Sequence, residues 1–299
     1  MVSNKQKANS NYEINKAWMR QSFSRAASSY NSVAFLQQEV AKRLVQRLEY
    51  VTLKPESILD VGSGTGHCGR LLKEHYKSAH IYSLDIAHGM LNYAKQSQGF
   101  LQKFKSNKQF ICGDAESLPL KTSSVDLLIS SLAIQWCADL DKTFSEFRSV
   151  LKPGGLLMFS SMGPDTLKEL RRAWATVDDS VHVSAFFDMH DVGDALMRAG
   201  FADPVMDVET ITLTYNQVDE LMSDLKGLGS RNAAAGRARG LTGKNKLQQM
   251  KQAYEELRQD GVLPATYEVV YGHAWIPENG IRPSNTETGF PIPVRSDKN

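Results

Sequence analysis

Three acidic residues, each closing an apolar run, are the positions in this chain best able to do chemistry. The first lies in Leu59-Asp60-Val61-Gly62-Ser63-Gly64-Thr65-Gly66, where a buried-type run passes straight into three alternating glycines. The missing side chains at Gly62, Gly64 and Gly66 let the backbone turn tightly and let a ligand lie against it. The spacing is G-x-G-x-G, not the G-x-G-x-x-G that cradles a pyrophosphate, and this favours a nucleoside without phosphates. The second acid, Asp85, ends Ile81-Tyr82-Ser83-Leu84. It falls about twenty residues beyond the glycines, where a carboxylate can accept both hydroxyls of a ribose. The third is in Gly113-Asp114-Ala115-Glu116, where Asp114 can accept an exocyclic amine while Ala115 offers its N–H to the base.

S-adenosyl-L-methionine satisfies these groups together. It adds an ammonium for Asp60 and a carboxylate for the free N–H groups of the Gly62-Ser63-Gly64 turn and the helix that follows it. Taken singly, each acid is more often a strand-end or capping residue, and a glycine triplet can be a plain tight turn. Their shared place at the carboxyl ends of successive strands is what points to a ligand.

The elements that must position these residues alternate. Strands are expected at Ser57 to Val61, His80 to Asp85, Gln109 to Cys112, Val125 to Ser130 and Leu156 to Ser160. Helices are expected between them at Cys68 to His75, His88 to Gln96 and Leu140 to Val150, the last stopped by Lys152-Pro153-Gly154-Gly155. An amphipathic helix precedes the first strand, with Leu36, Val40, Leu44, Val45 and Leu48 at helical spacing. Further helices run from Pro164 to Trp174 and from Met189 to Ala199, and two β-rich runs follow at Val205 to Tyr215 and Ala265 to Trp275. This order predicts a mostly parallel α/β sheet with helices on both faces. Residues 1–33 read as a flexible N-terminal segment and flap, 34–276 as the catalytic domain with a helical insertion at 216–264, and 277–299 as a disordered tail.

Composition narrows the class. The chain has 299 residues, 41% hydrophobic and 23% charged, and its net charge of +2 gives no global pull toward nucleic acid or anionic membrane. Cys68, Cys112 and Cys137 match neither a CxxC pair nor a zinc ribbon, the histidines form no metal-binding pair, and no metal site is expected. With no spanning-length apolar run and no signal-like N-terminus, the expected location is the cytoplasm, away from the membrane.

Leu59 to Gly66, Asp85, Gly113-Asp114-Ala115 and Leu151-Lys152-Pro153-Gly154-Gly155 resemble, as a set, the motif series of class I, Rossmann-like methyltransferases. The resemblance implies a seven-stranded sheet ending in an antiparallel hairpin, Ile86 against the adenine, and Ser131 and Leu132 lining the methyl end. Outside that core, Phe23-Ser24-Arg25-Ala26-Ala27-Ser28-Ser29-Tyr30, Gly163-Pro164-Asp165-Thr166-Leu167-Lys168-Glu169-Leu170 and His190-Asp191-Val192-Gly193 resemble the BioC family. That family comprises the malonyl-acyl-carrier-protein O-methyltransferases of biotin synthesis. The resemblance implies methylation of the free carboxylate of a malonyl thioester, leaving S-adenosyl-L-homocysteine.

A malonyl carboxylate is ionised at neutral pH and is its own nucleophile, so the site needs placement and a recognition cation more than a base. Arg171 and Arg172 are the expected cations, the alternative being that they complement the negative end of their helix. Tyr30 and Trp136 are candidates to close the pocket, or else pack in the core. Between Lys226 and Lys251 every charged residue is basic, and Arg231, Arg237, Arg239, Lys244 and Lys246 form the expected docking surface for an acidic acyl-carrier protein. Malonyl-coenzyme A remains an alternative carrier. Two other readings stay open. Gly163-Pro164-Asp165-Thr166-Leu167 and Pro264-Ala265-Thr266-Tyr267 also resemble respiratory complex I assembly factors, and the basic run would suit an RNA or small-molecule methyltransferase, although nucleic acid is not the expected partner.

Overall fold

The computed structural model describes residues 14–97, 108–230 and 243–278. Seven strands form one sheet in the order β3-β2-β1-β4-β5-β7-β6. They are β1 (Ser57–Val61), β2 (His80–Asp85), β3 (Lys108–Cys112), β4 (Val125–Ser131), β5 (Leu151–Met162), β6 (Ala202–Tyr215) and β7 (Leu263–Trp275). The first five are parallel, and β7 inserts antiparallel between β5 and β6. The order in which strands are added reverses between β1 and β4, which opens a crevice at the carboxyl ends of both strands.

The helices are α1 (Lys16–Ala26), α2 (Tyr30–Val33), α3 (Phe35–Gln46), α4 (His67–His75), α5 (His88–Gln96) and α6 (Leu140–Val150). They continue with α7 (Lys168–Ala175), α8 (Met189–Ala199), α9 (Val218–Gly227) and α10 (Lys244–Glu255). Central strands are apolar on both faces because helices cover both. Leu127 packs with Leu44, Ile58 and Ile81 on one side, while Leu128 packs with Phe144, Phe147 and Phe159 on the other.

Three elements depart from the sequence expectation. Residues 16–33, expected as a flexible flap, are helical and packed: Asn15 caps α1 by accepting the Trp18 N–H, and Met19 and Ala26 are buried. Helix α7 begins at Lys168, not Pro164. Tertiary bonds to β7 hold the preceding turn open, because Gly163 N–H donates to the Glu268 carbonyl, Asp165 N–H to the Glu268 carboxylate and Leu167 N–H to the Thr266 carbonyl. Strand β5 extends back to Leu151, which pairs with Val125, and the Pro-Gly-Gly segment is taken up as an irregularity before Leu127 meets Leu156. The tail beyond residue 278 lies outside the described residues.

Candidate active site

Gly62 and Ser63 both donate their N–H groups to the Leu84 carbonyl, which ties the glycine turn across the ends of β1 and β2. Gly62 has φ +72°, and a Cβ there would stand 2.2 Å from that of Ala133, so no other residue fits. Gly64 has nothing within 4 Å of where a Cβ would be, and it lines the crevice. One glycine is thus required by protein packing, while the other leaves space for a ligand.

Asp85 stands directly behind this opening. One carboxylate oxygen accepts the Gly64 N–H at 2.8 Å and the other the Ala87 N–H at 2.7 Å. Each oxygen keeps lone-pair capacity, the arrangement a vicinal diol needs. Burial pushes this carboxyl up to about 6, against the opposing effect of the two N–H groups. Tyr30 lines the same crevice, and its phenol is pushed up by burial and by the Asp85 charge, so it remains a neutral O–H donor at neutral pH.

Asp114, Ala115 and Ile86 line the crevice on the β2–β3 side. Asp114 accepts the Glu116 N–H through one oxygen and holds Lys16 at 2.6 Å through the other. Lys16 also pairs with Glu116, whose second oxygen accepts the Asp139 N–H. Helix α1 is therefore latched to the Asp114 corner of the crevice, a contact between residues 98 apart with no local signal in the sequence. At the far wall Leu132 holds φ +50°, and its N–H is shared between the carbonyl and the hydroxyl of Ser160, beside Ser131. A second non-glycine residue with positive φ, Leu167 at +55°, lines the same cavity. Strain at two wall positions is typical of a site whose surroundings over-determine its shape.

The crevice continues into an apolar chamber formed by Leu170, Trp174, Phe186, Met222, Leu225 and Tyr267, and the whole cavity measures about 570 Å³. Trp136 lines it and meets Phe23 edge-on at 5.3 Å. His182 stacks on Trp174, with ring centroids 3.7 Å apart, and its Nε2 is 2.8 Å from Asp178.

Not every expected residue reaches the cavity. Asp60, expected beside an ammonium, is buried on the α4 side of β1, opposite Ser83 in the β2 register, with Gly69 above it. Burial pushes this carboxyl up to about 7, the nearby Lys108 opposing, and its Oδ2 has no hydrogen-bond partner. Strand alternation alone turns it away from the ligand side. Ser63 and Gly66 shape the turn without lining the cavity, Gly66 preceding α4 at φ +81°. Arg171 and Arg172 are exposed on α7 and also lie outside the cavity lining. Arg171 is occupied with its own turn, donating to the carbonyls of Pro164 and Thr166. Of the basic run, Lys246 is paired with Asp178 at 2.8 Å, Lys244 opens α10, and Arg231, Arg237 and Arg239 lie outside the described residues. Sequence reasoning missed Lys16, His182 and Lys226 as cavity-lining residues.

Among the described residues no cluster of His, Cys, Asp or Glu could hold a metal ion, and no helix is long and apolar enough to cross a membrane. The donor set fits S-adenosylmethionine. Gly64 leaves an open backbone cradle, Asp85 has acceptor capacity for a diol, and Ile86 and Ala115 flank the place for a base.

A family model described as a methyltransferase domain matches residues 59–159. The malonyl-acyl-carrier-protein O-methyltransferase of Gallionella capsiferriformans is 54% identical over 89% of this chain and 92% of its own length. That of Methylovorus sp. is 52% identical over 89% and 91%, and that of Nitrosospira multiformis 49% identical over 93% and 94%. Two solved structures share the fold at low identity. The YcgJ protein of Bacillus subtilis has a TM-score of 0.53 at 17% identity, covering 79% of this chain and 98% of that one. A phosphoethanolamine N-methyltransferase of Haemonchus contortus, solved with S-adenosylhomocysteine, has a TM-score of 0.51 at 16% identity, covering 85% and 57%.

Proposed function

The chain belongs to the malonyl-acyl-carrier-protein O-methyltransferase family, and from that premise we propose that it methylates the free carboxylate of a malonyl thioester at the start of biotin synthesis. The observation that carries this reading is one continuous cavity, running from the Gly64–Asp85 cradle to an apolar chamber built by the segments outside the methyltransferase core. The likeness to O-methyltransferases extends over 89% of the chain, well beyond the methyltransferase core, so the complex I assembly-factor reading is not favoured.

When bound, S-adenosylmethionine supplies a methyl carbon made electrophilic by a sulfonium. The chain's own residues do the placing. Asp85 holds the ribose, Asp114 and Ala115 meet the base, and Ile86 packs against it. Ser131 and Leu132 shape the methyl end, and Tyr30, Phe23 and Trp136 cover it. The malonyl carboxylate is already ionised at neutral pH, which agrees with a cavity that presents no hydrogen-bonded base and nucleophile among its described residues. Apolar walls exclude water and strip part of the carboxylate's hydration, and orientation within them contributes several kcal/mol, on the order of the effective-molarity gains of oriented reactants. Methylation removes the only charge on the acyl chain and leaves an apolar end suited to elongation.

The test is transfer of a labelled methyl group from S-adenosylmethionine to malonyl-acyl-carrier protein, with acetyl-acyl-carrier protein and malonyl-coenzyme A in parallel. Label on the malonyl carrier protein and none on the acetyl form is expected. Label on the acetyl form would remove the carboxylate as acceptor, and a strong preference for the coenzyme A thioester would displace the carrier protein as substrate.

A further inference from the structure

Three basic side chains line the cavity among the described residues: Lys16, His182 and Lys226. Lys16 is consumed by Asp114 and Glu116, and His182 is held by Asp178 and stacked on Trp174. The Lys226 ammonium makes no hydrogen bond or ion pair among the described residues. The nearest carboxylate in sequence, Asp224, is taken by the Tyr215 hydroxyl at 3.2 Å.

The position of Lys226 on its helix is informative. Met222, Leu225 and Lys226 all line the cavity, and their spacing of three and four residues puts them on one face of α9. A lysine therefore stands on an otherwise apolar stripe that faces the chamber, while its exposed ammonium stays within reach of water and keeps its charge cheaply. The end of α9 is also fastened down. Ser29 donates its hydroxyl to the Gly227 carbonyl at 3.2 Å, and Ser22 donates to that of Gly229 at 2.9 Å. A Cβ on Gly227 would come within 3.0 Å of Val33. These contacts dock α9 on helices α1 and α2, which carry Phe23 and Tyr30, so the Lys226 stem springs from a fixed base beside the wall that covers the reaction.

We propose that Lys226 is the residue that recognises the free carboxylate of the malonyl group, the role for which the sequence suggested Arg171 and Arg172; this rests on the malonyl-methyltransferase reading above. Much of the carboxylate's charge persists in the transition state of methyl transfer, so a cation on the non-attacking oxygen holds substrate and transition state about equally. Lys226 accordingly selects the acid-bearing acyl group and acts on binding, leaving the chemical step nearly untouched. A lysine suits this role better than a bidentate arginine, since a single contact leaves one carboxylate oxygen free to react.

The experiment measures kcat and KM for Lys226→Met and Lys226→Arg with malonyl-acyl-carrier protein and with the malonyl thioester of N-acetylcysteamine, which has no protein surface. S-adenosylhomocysteine affinity is measured alongside. For Lys226→Met, KM is expected to rise about tenfold or more with both substrates, the loss typical of a hydrogen bond to a charged group. Its kcat should stay within about threefold of wild type, as for loss of binding that substrate and transition state share, with Lys226→Arg recovering most of the KM. Unchanged KM with both substrates, a rise with the carrier protein alone, or a parallel fall in S-adenosylhomocysteine affinity would each overturn the assignment. A wild-type enzyme inactive on both malonyl substrates would take down the underlying reading and this inference with it.

Discussion

Asp85 carries the most at the level of single residues, because it holds the turn and, in the proposed function, the ligand as well. Its two oxygens anchor Gly64 and Ala87, and its remaining lone pairs face the cavity. Asp85→Ala should weaken S-adenosylhomocysteine binding by about 100-fold or more, since two bonds from a charged acceptor are lost. Calorimetric titration checks this, and unchanged affinity would remove Asp85 from the ribose site. Because burial raises this carboxyl to about 6, ligand affinity in the wild type should fall as pH drops through that value, approaching tenfold per unit. The same group acts in the opposite sense on the ligand-free fold. Between about 3.9 and 6 the native state holds a proton that the unfolded chain has released, so stability from this carboxyl declines as pH rises across that window. Affinity measured from pH 5 to 8 beside Asp85→Asn, whose profile should be flat, separates the ligand effect from general acid sensitivity. Arg171 shows where reading single residues ends: its charge was plain in the sequence, but its commitment to the Pro164 and Thr166 carbonyls depends on a turn that β7 imposes.

Secondary-structure elements were legible to the extent that their signals were local. β1, β2, α5, α6 and α8 lie where apolar runs, helical periodicity and a terminal glycine put them. The α7 start was misread because hydrogen bonds to a strand a hundred residues away outweighed the preference for proline in a first helical turn. Sheet closure depends on a contact of the same long-range kind. Gly272 of β7 lies opposite Phe159 of β5, and a Cβ there would stand 2.3 Å from the Phe159 ring. Gly272→Ala should cost about 1–3 kcal/mol as an overpacked core position, measured by denaturant unfolding. In a Phe159→Leu background the penalty should shrink, because the two sites share one volume. An undiminished penalty would place the strain at Met206, whose sulfur would stand 2.8 Å from the added Cβ, instead of the ring contact.

Across the whole molecule, the basic stretch is less uniform than it reads in sequence. Lys246 is balanced by Asp178 and Lys251 by Asp219, acids brought from other segments by packing. Neutralising Arg237 and Arg239 together to Ser should raise KM for the acyl-carrier protein at low salt but not for the N-acetylcysteamine thioester. The difference should narrow as ionic strength rises and the screening length falls below about 10 Å. Lys246→Ala should do less, since its charge is already offset. Kinetics at two salt concentrations test this, and a loss independent of salt would argue against an electrostatic docking surface.

The chain's sequence by itself determined the alternating architecture, the cofactor cradle and the family. All three are written in contiguous stretches: a buried strand, a glycine turn, a helix start, and acids at successive strand ends. Only the tertiary structure decided which charges face the cavity. Asp60 is turned away by strand alternation, Arg171 is spent on its own turn, Lys16 is latched to Asp114, and Lys226 is left on an apolar stripe with no partner for its ammonium among the described residues. A side chain's availability depends on what folding brings against it, and those neighbours come from distant parts of the chain.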